Sequence, residues 1–163
     1  MPTPHPYGIE TITMGVAPSG IKVINYEHKG DEWEQKMEKF KNEVLMDIQK
    51  TFNLDLNAYQ KYEYEQLRYQ AEQGKFMKLA KINEDIVINE LNKEIKPPYK
   101  NVIYPMTFIK GDEAFILYKK ADGTNVLYTL RKKNDNWLIL NKETKEGKEM
   151  AKELLWYMFK QIN

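Results

Sequence analysis

Apolar residues recur at helical spacing through three successive stretches of the chain, and the period then falls to two. In the first stretch Trp33, Met37, Phe40, Val44, Leu45, Ile48 and Phe52 return every three or four positions. Asp31 and Glu34 open this stretch with the spacing of a capping box, so a helix is expected over 31–52. In the second stretch Asp55 caps a helix reaching Gln73 and stopped by Gly74, with Leu56, Tyr59, Tyr62, Leu67 and Tyr69 as a weaker stripe. The third carries Phe76, Leu79, Ile82, Ile86, Leu91 and Ile95, is kinked or split at Asn83, and ends at Pro97-Pro98, which lack amide donors.

From Asn101 the alternation becomes that of strands. Turn residues at Lys110-Gly111-Asp112, Ala121-Asp122-Gly123-Thr124 and Lys133-Asn134-Asp135 divide it into four strands, over 101–109, 113–120, 125–132 and 136–141. Val126, Tyr128 and Leu130 fall on one face of the third strand; Leu127, Thr129 and Arg131 fall on the other. Ala114 to Tyr118 is apolar on both faces, as suits a central strand, while Pro105 assigns the first strand to an edge or a bulge. Thr144 then caps a closing helix whose stripe is Met150, Ala151, Leu154, Leu155, Met158 and Ile162.

Residues 1–30 hold few charges and several Pro and Gly, and read as extended chain. Two β-branched runs, Ile9 to Met14 and Ile21 to Tyr26, flank Ala17-Pro18-Ser19-Gly20, the signal of a hairpin. Such a hairpin is either an extra strand pair on the main sheet or an arm exchanged between subunits. The expected fold class is α+β: an N-terminal extended arm or hairpin, three helices, a four-stranded antiparallel meander and a C-terminal amphipathic helix. The expected domains are the arm, 1–30, and a single α+β domain, 31–163.

Composition narrows the function more by exclusion than by assignment. With 163 residues, 42% hydrophobic, 12% aromatic and a net charge of +1, the chain has enough core and little enough self-repulsion to fold. Its longest apolar runs are a handful of residues, so no membrane-spanning helix is expected. Met1 to Pro6 shows neither a basic nor an apolar leader region, which reads as cytoplasmic for a complete chain and extracytoplasmic for a mature fragment. Cysteine is absent and the single serine, Ser19, sits in a turn, which argues against nucleophilic catalysis by either. His5 and His28, both in the N-terminal part, do not make a zinc site, and no glycine-rich phosphate loop is spelled out. No catalytic, metal or cofactor residue is therefore assigned. Glu63, Glu65 and Glu72 lie among Lys61, Arg68 and Lys75 as an ordinary mixed surface.

Two sets of residues remain as candidates. Lys110, Arg131, Lys132 and Lys133 fall at one end of the meander and form a modest anion-binding end, the basis for a phosphate or nucleic-acid reading. Lys119-Lys120 fall at the opposite end, and the resulting small patches count against a dedicated nucleic-acid surface. Tyr62, Tyr64 and Tyr69 cannot all face inward from one helix, and Trp156 and Tyr157 lie off the stripe of the last helix. These five aromatics are the interface candidates.

The order of elements, with Gly111-Asp112-Glu113-Ala114-Phe115-Ile116-Leu117-Tyr118 and the closing Asn134-Asp135-Asn136-Trp137-Leu138-Ile139, resembles NTF2-like (cystatin-fold) domains over about residues 31–141. That resemblance implies a sheet curled around helices to leave a conical pocket, used by some members as an enzyme site and by many for binding or dimerisation. The arm and the last helix are additions that can fill the pocket's mouth, and no acid/base pair of the enzymatic members is matched. The expected function is a non-enzymatic protein–protein interaction: an accessory subunit, an inhibitor or an immunity-type protein, with a protein partner or a homodimer. An aromatic-lined small-molecule site, enzymatic or not, is the alternative.

Overall fold

A computed structural model describes residues 9–29, 32–93 and 103–150. The chain is α+β and divides into two compact units, residues 1–42 and 43–163. The first unit contains a hairpin of β1 (Ile9–Ala17) and β2 (Gly20–Lys29), closed at Pro18-Ser19. Among the described residues these strands pair only with each other, as a separate two-stranded sheet, and not as an extra strand pair of the five-stranded sheet. Helix α1 (Glu32–Phe52) begins in this unit and ends in the second; its expected cap, Asp31, lies outside the described residues.

The second unit is built on a five-stranded antiparallel sheet, not the expected four, in the order β3-β4-β5-β6-β7. The added strand, β3 (Gln60–Tyr62), interrupts the expected helix over 55–73. Its three residues pair with Ile109, Phe108 and Thr107 on β4 (Met106–Lys110). Tyr59 packs on Phe115 while Tyr62 packs on Phe76. What reads as a diffuse helical stripe is therefore an alternation of two faces. Helix α2 (Tyr64–Glu72) starts only after it, where the Gln66 side chain accepts the Glu63 N–H at 2.8 Å. Gly74 and Phe76, both at positive φ, turn the chain into α3 (Met77–Ile86). Asn83 does not kink α3; its amide nitrogen donates to the Leu79 carbonyl and to Thr107. The irregularity comes four residues later, as a π-helical turn over Val87–Leu91.

Pro105 precedes β4 rather than lying in it, so an interior strand loses no ladder donor; β4 lies between β3 and β5 and is neither an edge nor a bulge. β5 (Glu113–Lys119), β6 (Asn125–Lys133) and β7 (Asn136–Lys145) complete the sheet. The expected closing helix is also overturned where it was to start. Thr144 pairs with Val126, and β7 follows β6 along its whole length to the Asn125–Lys145 pair. The ladder bonds outweigh a local capping preference. Residues 151–163, with the rest of the expected stripe, lie outside the described residues.

Alternation along β5 and β6 divides the core in two. Ala114, Ile116, Tyr118, Val126, Tyr128 and Leu130 meet Leu67, Leu79, Ile86, Val87 and Leu91 of the α2–α3 side. Each Val, Leu or Ile side chain among these that is fully withdrawn from water stabilises the fold by about 1.5–3 kcal/mol. Leu117, Lys119, Asn125 and Leu127 turn to the other face, where Asp47 and Thr51 of α1 meet Lys119 and Asn125. At the outer edge β7 leaves Leu138, Ile139 and Leu140 exposed. A bulge at this level of the β6–β7 pairing and the lysines that follow are devices that discourage edge-to-edge association.

Candidate functional site

The side of α3 and its π-helical extension away from the sheet carries Met77, Lys81 and Glu84 and then Ile88, spaced i, i+4, i+7 and i+11, so that they form one stripe. On α2 the residues Tyr64, Arg68, Ala71 and Glu72 do the same. Between the stripes runs an open groove of about 600 Å³, in which Ala71 and Ala80 are the smallest lining side chains. Met77 is 64% exposed and Ile88 55%, although both are large and apolar. Charges of both signs, Arg68 and Lys81 against Glu72 and Glu84, stand along it.

The π-helical turn carries a second feature. Its wider winding, marked by the Asn92 N–H donating to the Val87 carbonyl at 3.0 Å, inserts a residue into the helical register. Glu90 faces the sheet together with Val87 and Leu91, on the same side of the helix as Leu79, Asn83 and Ile86. Its carboxylate accepts hydrogen bonds from the Tyr118 hydroxyl, from the Tyr128 hydroxyl at 3.2 Å and from the Lys142 ammonium at 2.8 Å. Lys142 also lies 5.3 Å from the centre of the Tyr128 ring. Burial alone would raise the pKa of Glu90; the bonds from Lys142 and Tyr118 outweigh it and hold the carboxyl below its ordinary value. Burial, reinforced by Glu90, drives the Tyr118 hydroxyl far up, so it remains a protonated donor. A carboxylate engaged by three donors is a poor general base, and the quartet acts as an anchor for the turn. The adjoining cavity, about 190 Å³, is lined by Ile82, Ile86 and Ile139 beside Asp85, Asn89 and Tyr128.

The four anion-binding candidates fall at one end of the sheet. Lys110, Arg131 and Lys132 line an open cleft of about 580 Å³ with Asp112 and Glu113, while Lys133 is exposed outside it. Glu113 is paired in register with both Lys110 and Arg131 and lies 3.6 Å from the Arg131 guanidinium. It also accepts the Tyr59 hydroxyl at 3.0 Å, while the Lys110 ammonium sits 5.7 Å from the centre of that ring. Lys132 lies 3.8 Å from Asp135. The cations are thus brought together around acids that partly neutralise them.

The interface candidates are scattered. Tyr62, in β3, is half-buried against Phe76, and Tyr64 stacks on Tyr104 at 5.1 Å on the rim of the α2–α3 groove. Tyr69 is 60% exposed on α2 but does not line the groove. Trp156 and Tyr157 lie outside the described residues. Sequence reasoning did not single out Met77, Ile88 or Glu90. The first two stand eleven residues apart and are hidden behind the stronger stripe of the core, and Glu90, a lone acid beside Ile86 and Leu91, is marked only by its distant partners Tyr118, Tyr128 and Lys142.

Set against protein-family models, curated proteins and solved structures, the chain has no match.

Proposed function

We propose that this protein is a non-enzymatic binding module, an accessory or inhibitory subunit, that seats an amphipathic helix of a partner protein between α2 and α3. The observation that carries this reading is the exposed stripe Met77–Lys81–Glu84–Ile88, which faces the stripe of α2 across a groove with alanines in its lining. Small residues let a third helix approach closely, and large apolar residues three turns apart match anchors spaced i, i+4, i+7 and i+11 on the incoming helix. The charges of both signs beside the apolar contacts favour one register of that helix over its neighbours.

The small-molecule alternative draws less support. The helix-facing side of the sheet is filled by Leu79, Ile116, Tyr118, Val126 and their neighbours. The cavity at Glu90 is smaller than the roughly 300 Å³ at which ligand pockets begin. A photo-crosslinking amino acid placed at Met77 tests the groove in cells. A discrete protein adduct that disappears when Ala80→Arg fills the groove supports the assignment. No adduct, or one indifferent to Ala80→Arg, overturns it.

A further inference from the structure

From Thr11 to Ile21 the chain has no charged residue. The hairpin that this segment forms is amphipathic with the period of a strand. Ile12, Met14 and Val16 alternate with Thr11, Thr13, Gly15 and Ala17, and the register sets Ile21 opposite Val16, Val23 opposite Met14 and Tyr26 opposite Ile12. Exposure of the apolar side chains rises toward the turn, from 50% at Ile12 and 56% at Met14 to 69% at Ile21 and 81% at Val16. A two-stranded ribbon is marginal in water unless one of its faces is covered.

The dimensions of that face help to choose what covers it. Nine paired positions at about 3.3 Å each, on two strands about 4.8 Å apart, make a footprint of roughly 300 Å². A stable protein pair buries about 800 Å² on each partner, so this face alone is too small to hold a second copy. A lipid interface accepts a narrow apolar face without matching its shape, and leaves the Thr, Gly and Ala face in water. No helix among the described residues is long and apolar enough to cross a membrane. We infer that the β1–β2 hairpin is a membrane-contact element whose apolar face, led by Val16 and Ile21, lies in the outer part of a bilayer. The inference is independent of the α2–α3 groove. Across the two strands Lys22 and Lys29 are balanced by Glu10 and Glu27, so the contact is apolar in origin and indifferent to anionic lipid.

Sedimentation of the full chain with phosphatidylcholine vesicles, with and without phosphatidylserine, tests this. The wild type should bind both alike, Val16→Asp/Ile21→Asp should bind about a hundredfold more weakly, and Thr13→Asp on the opposite face should bind like the wild type. Because the chain has no cysteine, Val16→Cys and Thr13→Cys take a polarity-sensitive dye at a single site. The dye should shift to the blue on vesicles at position 16 and not at 13. A wild type that stays in the supernatant at millimolar lipid overturns the inference, as does undiminished binding by the double aspartate variant. A dimer that the same variant dissociates, with no vesicle binding, also overturns it and names a second copy as the occupant.

Discussion

Tyr118 and Lys119 are neighbours on β5, both fully buried, and the alternation of the strand sends them to opposite faces of the sheet, into two polar clusters of different character. On the α1 side the Lys119 ammonium donates to Asp47 at 2.7 Å and to the carbonyls of Lys148 at 2.7 Å and Gly123 at 3.2 Å. Asp47 also accepts from the Asn125 side chain at 3.0 Å and the Lys148 N–H at 3.1 Å, and Thr51 accepts from Asn125 at 2.9 Å. Gly147 is held so close that a Cβ there would come within 2.2 Å of the Asn125 amide. On the α3 side the acceptor Glu90 and the cation Lys142 reach solvent, with side chains 22% and 41% exposed against 15% for Asp47 and 2% for Lys119. One strand thus carries two ionic clusters with different tasks. The closed one fastens α1, the β5–β6 turn and the segment after β7 together, whereas the open one positions a helical turn and keeps water as a substitute partner.

The largest effect should come from breaking the closed cluster at its cation. Lys119→Met removes the charge but keeps much of the volume, leaving the largely covered Asp47 carboxylate without its cation beside two carbonyls that have lost a donor. A loss of about 3–5 kcal/mol is expected, read as a lowered urea midpoint with an unchanged slope. A loss under about 1 kcal/mol would place this cluster with ordinary surface pairs and erase the contrast. Acid should sharpen the same point. Burial by itself would raise the pKa of Asp47, but the hydrogen bonds from Lys119, Asn125 and the Lys148 N–H, with the charge of Lys119, bring it from 3.8 to about 2. A carboxyl with a folded pKa below its unfolded one contributes its stability in full above the unfolded value and loses it as pH falls from 3.8 toward 2. That acid limb is worth roughly 2 kcal/mol in the wild type and should shrink in Lys119→Met, as denaturation midpoints from neutral pH to about pH 2 will report.

The two clusters also differ in how far the sequence foretells them. The stripe from Met37 to Phe52 and the apolar run Ala114 to Tyr118 follow periods that burial imposes directly, and α1 and β5 are legible from them. Lys119 closes that run, and a lysine at the end of a strand reads as solvated. Only tertiary pairing with Asp47, 72 residues away, makes it a buried cation. β3 was hidden because a three-residue strand in a tyrosine-rich stretch also fits a helical stripe, and the pairing with Thr107 to Ile109 decides between them. The same competition explains Thr144. The segment Asn141 to Lys145 has the residues of a helix start and no apolar alternation, yet β6 offers a partner for every one of them. Of the candidate groove only Tyr64 was legible, because Met77 and Ile88 are conspicuous only once the core face of α3 is known.

The smallest effect, and the finest test of the open cluster, lies one residue before Lys119. Tyr118→Phe deletes a hydroxyl that donates to Glu90 and leaves the carboxylate with Tyr128, Lys142 and access to water. Because the group left behind is not orphaned, the cost should be about 1 kcal/mol, well below that of Lys119→Met despite the full burial of Tyr118. The loss should also be local: the Asn92 amide, which closes the π-helical turn on Val87, should exchange faster with solvent while amides of β5 and β6 keep their protection. If Tyr118→Phe instead cost as much as Lys119→Met, or loosened the sheet as a whole, the solvent at Glu90 would not be acting as a substitute partner. Both clusters would then be closed, each fastening its own face of the sheet.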